Sequence, residues 1–338
     1  MITRTASSWQ AEDWQKILTH SISSLAELLA RLKLSLDDVP GAQAAAGQFS
    51  LRVPPTYLDK IKPGDANDPL LRQILPIAQE LQPAPGFGPD PLAELDANPI
   101  PGLLHKYQGR VLLLLASNCG INCRYCFRRH FPYSDNQLSR QQIEKVIAYL
   151  QADTSICEVI LSGGDPLLVS NERLGLWLEA LAGVDSIQRL RIHTRLPVAV
   201  PQRIDNGLLT LLAASRLDKV MVVHSNHPRE LDHQFDRAMA SLRANQVILL
   251  NQSVLLAGVN DNAETLTLLS ERLFQGGVLP YYLHLLDPVA GAQHFDVPVQ
   301  QARLIMAALQ ARLPGYLVPK LVREEPGVAN KTLVDLGA

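Results

Sequence analysis

Cysteine is scarce in this chain, charge is nearly balanced, and long hydrophobic runs are missing. There are 4 cysteines among 338 residues, too few for the disulfide framework that holds small secreted domains together. Lys plus Arg total 31 against 33 Asp plus Glu, a net charge of -2. Proteins that grip nucleic acid through bulk charge are clearly basic, so that class is excluded. No apolar stretch approaches the ~18 residues of a membrane helix. The strongest, Val111 to Ala116, is the size of a strand, and no membrane partner is expected. Met1 to Gln10 lacks the basic-then-apolar order of an export signal, so a cytoplasmic location is expected. With 47% hydrophobic residues, the chain can bury one large core or two ordinary ones.

The few cysteines are unevenly placed. Cys119, Cys123 and Cys126 fall in the segment Asn118-Cys119-Gly120-Ile121-Asn122-Cys123-Arg124-Tyr125-Cys126, a C-x3-C-x2-C spacing, and Cys157 stands apart. Clustered thiols in a cytosolic chain point to a metal or redox centre. Three thiolates can hold three irons of a [4Fe–4S] cluster and leave the fourth open, whereas a ferredoxin caps all four. An open iron needs another ligand, and S-adenosylmethionine can supply its amino and carboxylate groups. The alternative is zinc, with His130 completing a Cys3His set. Cys157, at the start of an apolar run, reads as an inert core thiol.

The rest of the chain falls into three parts. Residues 1–105 begin with helical spacing (Trp14, Ile17 and Leu18, then Leu25, Leu28, Leu29 and Leu32) and continue into a proline- and glycine-rich wrapping segment. Gly86-Phe87-Gly88-Pro89 begins like a dinucleotide loop, but Pro89 follows it and no strand precedes it. Residues 106–316 alternate apolar runs with helical patterns. The runs are Val111–Ala116, Cys157–Leu161, Leu190–His193, Val220–Val223, Val247–Leu250 and Val278–Leu283. Each reads as a strand buried on both faces of a parallel sheet. Ser139-Arg140-Gln141-Gln142 has capping-box spacing ahead of Ile143, Val146, Ile147 and Leu150, and Gly276-Gly277 ends a later helix. Six such units are too few for a closed eight-fold barrel. The expectation is an α/β fold, a partial (β/α)6 TIM-like barrel. A helical N-terminal extension and a C-terminal tail, residues 317–338, would cover its openings.

The cysteine spacing resembles that of the radical S-adenosylmethionine superfamily, and Leu161-Ser162-Gly163-Gly164-Asp165-Pro166, one β-α unit later, agrees with it. Glycines there let backbone approach a ligand closely. The resemblance assigns this loop, Ser162 to Asp165, to the amino group of S-adenosylmethionine. The likeness narrows at Leu104-His105-Lys106-Tyr107, Cys126-Phe127-Arg128-Arg129-His130-Phe131, Leu250-Asn251-Gln252-Ser253-Val254-Leu255-Leu256, Tyr281-Tyr282-Leu283-His284-Leu285-Leu286-Asp287 and Gly315-Tyr316-Leu317-Val318-Pro319-Lys320. Over nearly its whole length the chain resembles the lysine 2,3-aminomutase family. Its compact length, with Leu51-Arg52-Val53-Pro54 and Asp68-Pro69-Leu70-Leu71-Arg72-Gln73, resembles the branch that supplies β-lysine for modifying bacterial elongation factor P.

That resemblance implies a second cofactor, pyridoxal 5′-phosphate, held as a Schiff base by Lys331, which follows Glu325-Pro326-Gly327-Val328-Ala329-Asn330. Such a lysine must reach its neutral form, so burial or nearby cations must lower a pKa that starts near ~10.4. Arg128 matches the arginine that binds the substrate carboxylate, and a guanidinium fork suits that group. Asp287 and Glu324 match the acids that hold the far ammonium of lysine, with Glu324 standing where the better-known enzymes have aspartate. Arg110 matches an arginine near pyridoxal phosphate. Lys106 and Tyr107 would face the phosphate, Lys106 replacing an arginine of the clostridial enzymes. Arg195 and Gln252 fall on the S-adenosylmethionine side. His224 and His227 belong to a family feature near the cofactors, and a second metal is not expected. No cysteine follows Cys157, so the inter-subunit zinc of larger members is not carried over.

The implied reaction starts from an electron supplied by an external reductant such as flavodoxin or ferredoxin. That electron would split S-adenosylmethionine into methionine and a 5′-deoxyadenosyl radical. With free L-lysine taken up onto pyridoxal phosphate, the radical would remove hydrogen from its C3. The amino group would move from C2 to C3, hydrogen would return at C2, and (R)-β-lysine would result. Elongation factor P and its ligase would be the downstream partners. A glutamate-type aminomutase, a metabolic use of β-lysine and a non-catalytic zinc-binding module are the alternatives.

Overall fold

The structure is a computed structural model that describes residues 13–136 and 138–337, with Arg140 by its backbone. The reading of Met1 to Gln10 therefore lies outside the described residues.

One nine-stranded sheet organises the chain, with its strands side by side in chain order. A hairpin starts it: β1 (Leu103–Tyr107) runs antiparallel to β2 (Arg110–Ala116). From β2 onward every neighbour is parallel through β3 (Glu158–Gly163), β4 (Arg189–Thr194), β5 (Asp218–His224), β6 (Val247–Val254), β7 (Leu279–His284) and β8 (Lys320–Arg323). A short antiparallel β9 (Thr332–Leu333) ends it. Parallel neighbours need crossovers, and six major helices provide them. Numbered after two N-terminal helices, α1 (Trp14–Thr19) and α2 (Leu25–Arg31), these are α3 (Ile143–Ala152), α4 (Asn171–Ala182), α5 (Asn206–Ala214), α6 (His233–Ala244), α7 (Ala263–Gln275) and α8 (Val299–Arg312). The first and last strands do not pair, so the barrel is partial and open, as expected.

Two details depart from the sequence reading. The sheet holds a seventh parallel strand, β8, inside the segment assigned to the tail. Its four residues are too short a run to stand out by periodicity. The strands are also not uniformly buried on both faces. β3 is, but β4 alternates, with Leu190 and Ile192 buried and Arg191 and His193 turned to a central cavity. A barrel that encloses a polar cavity needs polar residues on its inner face.

The local signals act as expected. The Gln142 side chain accepts from the Ser139 N–H at 2.6 Å, and one 3-10 turn later α3 buries Val146 and Leu150. Helix α7 ends where Gly277 takes φ +77°, letting the Gly277 and Val278 N–H groups reach back to Phe274 and Leu273. Gly88 forms no dinucleotide loop; it makes a bridge with Val289 that ties the wrapping segment to the loop after β7. Among the described residues no helix is long and apolar enough to cross a membrane.

The N-terminal extension caps the C-terminal ends of the parallel strands. Thr56 Oγ1 donates to the Ala199 carbonyl at 2.5 Å, and Lys60 Nζ donates to Val198 and Glu230 carbonyls while pairing with Asp232 at 3.1 Å. The Trp14 indole donates to Asp205 Oδ2 at 3.1 Å, and the Arg203 guanidinium lies 4.7 Å from the Trp14 ring centre. Asp205 also caps α5 through the Leu208 N–H. Trp14→Ala should lower stability by about 3 kcal/mol through lost burial and the cavity left behind, measured as an earlier midpoint in urea unfolding.

Candidate active site

The cysteine loop leaves the C-terminal end of β2, where parallel sheets present their reactive groups. The Gly163-Gly164 turn at the end of β3 supports it. Gly163 takes φ +119°, and a Cβ there would lie 2.5 Å from the Ala116 carbonyl, while a Cβ on Gly164 would overlap the Asn118 carbonyl. The close approach made possible by these glycines is to the backbone of the cysteine loop. It is fastened by Gly164 N–H to Ala116 O at 2.8 Å and Asp165 N–H to Asn118 O at 2.9 Å. The Asp165 carboxylate is directed into the fold and accepts from the Leu167, Arg195 and Leu196 N–H groups and from Thr194 Oγ1. Asp165 thus ties the loops after β3 and β4 together.

Cys119, Cys123 and Cys126 are all unbridged and line the central cavity. Burial pushes the Cys119 thiol well up, helped by Cys126, and raises Cys126 to about 11, helped by Cys123. A cluster bound here would load by displacing the protons of these thiols. His130, the fourth ligand in the zinc alternative, is exposed and bonds the Ala290 carbonyl at 3.1 Å. Among the described residues no three His, Cys, Asp or Glu side chains converge on the position of a single ion. Thiolates bound to three different irons need not converge. Cys157 sits at the opposite end of β3; it is half-buried, receives a hydrogen bond from Arg189 at 3.0 Å, and is not the core thiol expected.

Arginines crowd the cysteines, and the N-terminal extension supplies the acids that neutralise Arg124, Arg128 and Arg129. Arg124 is fully buried; its Nε donates to Glu80 at 2.7 Å, and Arg129 Nη2 donates to the same carboxylate at 2.9 Å. Arg195 donates to Cys123 Sγ at 2.5 Å, Tyr125 Oη at 2.6 Å, Gln73 Oε1 at 2.7 Å and Glu230 Oε2 at 3.0 Å. Sequence reading missed Gln73, Glu80, Glu94, Tyr125 and Glu230. The available signal was the cysteine loop itself, where Arg124, Arg128 and Arg129 would each need an anion if buried.

The cavity inside the barrel has a volume of about 530 Å³. All sixteen residues singled out from sequence as candidate site residues line it. A chain of alternating charge crosses it. Arg128 grips Glu94 with both edges of a fork, Nε to Oε2 at 2.6 Å and Nη2 to Oε1 at 2.8 Å. Glu94 pairs with Lys106 at 3.2 Å, Lys106 with Glu324 at 3.1 Å, and Glu324 with Lys331 at 2.5 Å. Lys106 is on β1 and Glu324 follows β8, so this pair bridges the open seam of the sheet. Burial would raise the Glu324 carboxyl, but Lys331 and Lys106 outweigh it and hold it well below the usual range. Asp287, after β7, is raised to about 7 by burial and by Glu324 beside it. The Arg110 guanidinium stacks 4.6 Å from the Tyr107 ring centre, and Gln252 faces inward from β6.

Three histidines complete the wall. Burial pushes His193 and His284 well down and His224 down to about 3, so all three rings are neutral at pH 7. The Nε2 atoms of His193 and His284 are buried without a hydrogen-bond partner in the protein. Orphaned buried nitrogens near Lys331, in a cavity that Lys106 and Arg110 also line, fit a polar, anionic cofactor such as pyridoxal phosphate. The three thiols lining the same cavity fit a cluster with S-adenosylmethionine beside it.

Comparison with known proteins adds the following. Residues 107–182 match the family described as a 4Fe-4S single cluster domain. The chain is similar to proteins named L-lysine 2,3-aminomutase. It is 49% identical to the Haemophilus influenzae protein over 324 residues, covering 96% of each chain. It is 47% identical to the Escherichia coli protein over 326 residues, covering 96% of this chain and 95% of that one. The Clostridium subterminale protein is 37% identical over 324 residues, which are 95% of this chain and 77% of that one.

The glycine turn offers a direct test of how the cysteine loop is held. Gly164→Ala should cost about 1–3 kcal/mol through overpacking against backbone that cannot step aside. It should also lower the iron bound per chain after anaerobic reconstitution, read by metal analysis alongside the melting temperature.

Proposed function

Because the chain belongs to the L-lysine 2,3-aminomutase family of isomerases, we propose that its cavity holds L-lysine between Arg128 and the acids Asp287 and Glu324, moving the 2-amino group to C3 to give (R)-β-lysine. The supporting observation is that one cavity contains the three thiols, Lys331 and a cation-to-anion polarity suited to a diamino acid. When bound, the cluster and S-adenosylmethionine would supply one-electron chemistry, and pyridoxal 5′-phosphate an aldehyde able to hold the migrating nitrogen.

In this reading Cys119, Cys123 and Cys126 hold the cluster, and Lys331 Nζ tethers pyridoxal phosphate. Arg110, Tyr107, Lys106 and the neutral His193 and His284 surround the tethered cofactor. Ser162 and the Gly163–Gly164 turn, with Arg195 and Gln252, border S-adenosylmethionine. Asp165 acts one step back, by orienting that turn and the Arg195 backbone. The N-terminal cap over the strand ends excludes water, which a radical reaction needs. Glutamate would bring a carboxylate toward Asp287 and Glu324. At an effective dielectric of ~20, each like-charge contact at ~4 Å costs on the order of 4 kcal/mol before desolvation. Lysine should therefore turn over in a competition assay in which glutamate does not, and Cys126→Ser should abolish β-lysine formation by the anaerobically reconstituted enzyme.

The raised Asp287 sets a pH dependence. Only the ionised carboxylate attracts an ammonium, and lysine's own side chain stays cationic across this range. As pH falls through about 7, Asp287 takes up a proton. Below that point kcat/KM for lysine should fall by about tenfold per pH unit. Asp287→Asn should remove that limb and bind lysine weakly at every pH, which a pH–rate profile will display.

The modification of elongation factor P is the proposed destination of the product, in the cytoplasm. The chain spans the short relatives nearly end to end but only 77% of the clostridial one. The mass of elongation factor P in a strain lacking this gene is the measurement. Loss of one lysyl increment supports the role, and an unchanged mass points to a metabolic use.

A further inference from the structure

Arg128 is already satisfied without any ligand. An arginine has five N–H donors in a rigid plane. In Arg128 the Nε and one Nη2 hydrogen hold Glu94, and Nη1 donates to Ser162 Oγ at 3.1 Å and the Gly163 carbonyl at 3.3 Å. One donor is left over, and a second carboxylate cannot share a fork that already holds one. The reading of Arg128 as the carboxylate-binding residue, on which this inference rests, therefore requires one partner to leave.

The surroundings decide which. Arg128 is buried, and moving it would break the bonds that fix the Gly163 turn under the cysteine loop. Glu94 comes from the wrapping segment, outside the sheet, and its own N–H is held by Asp90 Oδ1 at 3.2 Å. The residue before it, Ala93, has φ +48°, a left-handed conformation that costs an alanine energy and is relieved if the segment shifts. Glu94 also touches Lys106, so two cations hold it. We propose that Glu94 is an internal stand-in for the substrate carboxylate. It keeps the buried Arg128 neutralised while the site lacks an amino acid, and it yields the fork when one binds. Removing one member of a buried ion pair is strongly unfavourable, so the exchange of one carboxylate for another keeps the guanidinium paired throughout. Glu94 thereby sets both affinity and selectivity, because only a ligand with its own carboxylate can complete the exchange.

The test uses reconstituted enzyme without reductant, so that no turnover occurs, and compares L-lysine with 1,5-diaminopentane, which lacks the carboxylate. In the unaltered protein, L-lysine should speed amide hydrogen exchange in residues 90–98, and 1,5-diaminopentane should not. Glu94→Gln should bind L-lysine about tenfold more tightly or better by calorimetry, since the competent fork is no longer a minor population. Its affinity for 1,5-diaminopentane should not change. Unchanged lysine affinity in Glu94→Gln, with lysine still weakened by Arg128→Lys, overturns the stand-in and leaves the Arg128 reading intact. Equal binding of the two ligands, indifferent to Arg128→Lys, overturns the Arg128 reading itself. The exchange comparison needs no variant and stands even where a substitution fails to fold.

Discussion

The central constraint in this molecule is the enclosure of several largely buried charges around one cavity. Arg128, Glu94, Lys106, Glu324 and Lys331 alternate in sign across the cavity, each within salt-bridge distance of the next. An isolated charge there would carry a desolvation cost of several kcal/mol. Arranged in alternation, the groups neutralise one another. The proposed substrate, a zwitterion with an extra ammonium, would meet both signs in this chain of pairs.

The same constraint explains why the N-terminal extension belongs to the site. An open sheet with β1 and β9 at its edges leaves a seam and an uncovered mouth. The extension covers the mouth with apolar helices, but it also contributes Glu80 and Glu94 to arginines in the cysteine loop, and Gln73 to Arg195. Arg195 in turn places a guanidinium on Cys123 Sγ, and Glu230 holds that cation in position. Cap, cluster loop and strand ends form one polar network, so a change in the cap reaches the cysteines through a few hydrogen bonds. Lys106 to Glu324 closes the seam electrostatically where no backbone ladder does.

Much of this was legible in the residues. Alternating apolar runs and helical patterns gave six β-α units, because periodicity is local and survives without tertiary context. The strand β8 was hidden, since four residues carry no periodic signal and its assignment depends on pairing with β7. The cysteine spacing and the glycine turn stood out because backbone sterics and thiol chemistry admit few residue types there. The glycines' immediate partner, the Ala116–Asn118 backbone, was not readable, because it lies on a different loop. Asp165 was assigned to a ligand by its neighbours in sequence, and the fold directs it to three N–H groups and a hydroxyl instead.

The sequence by itself determined the fold class and the thiol triad, because these depend on residue type and short-range spacing. Arg128, Lys106, Glu324 and Lys331 stood out only through the family resemblance, and Glu94 not at all. Only the tertiary structure decided which charge answers which. Glu94 and Arg128 are separated by 34 residues, and Lys106 and Glu324 by 218. A charge carries no address in sequence. Its partner is chosen by the chain closing around a cavity where a buried charge left unpaired would be costly.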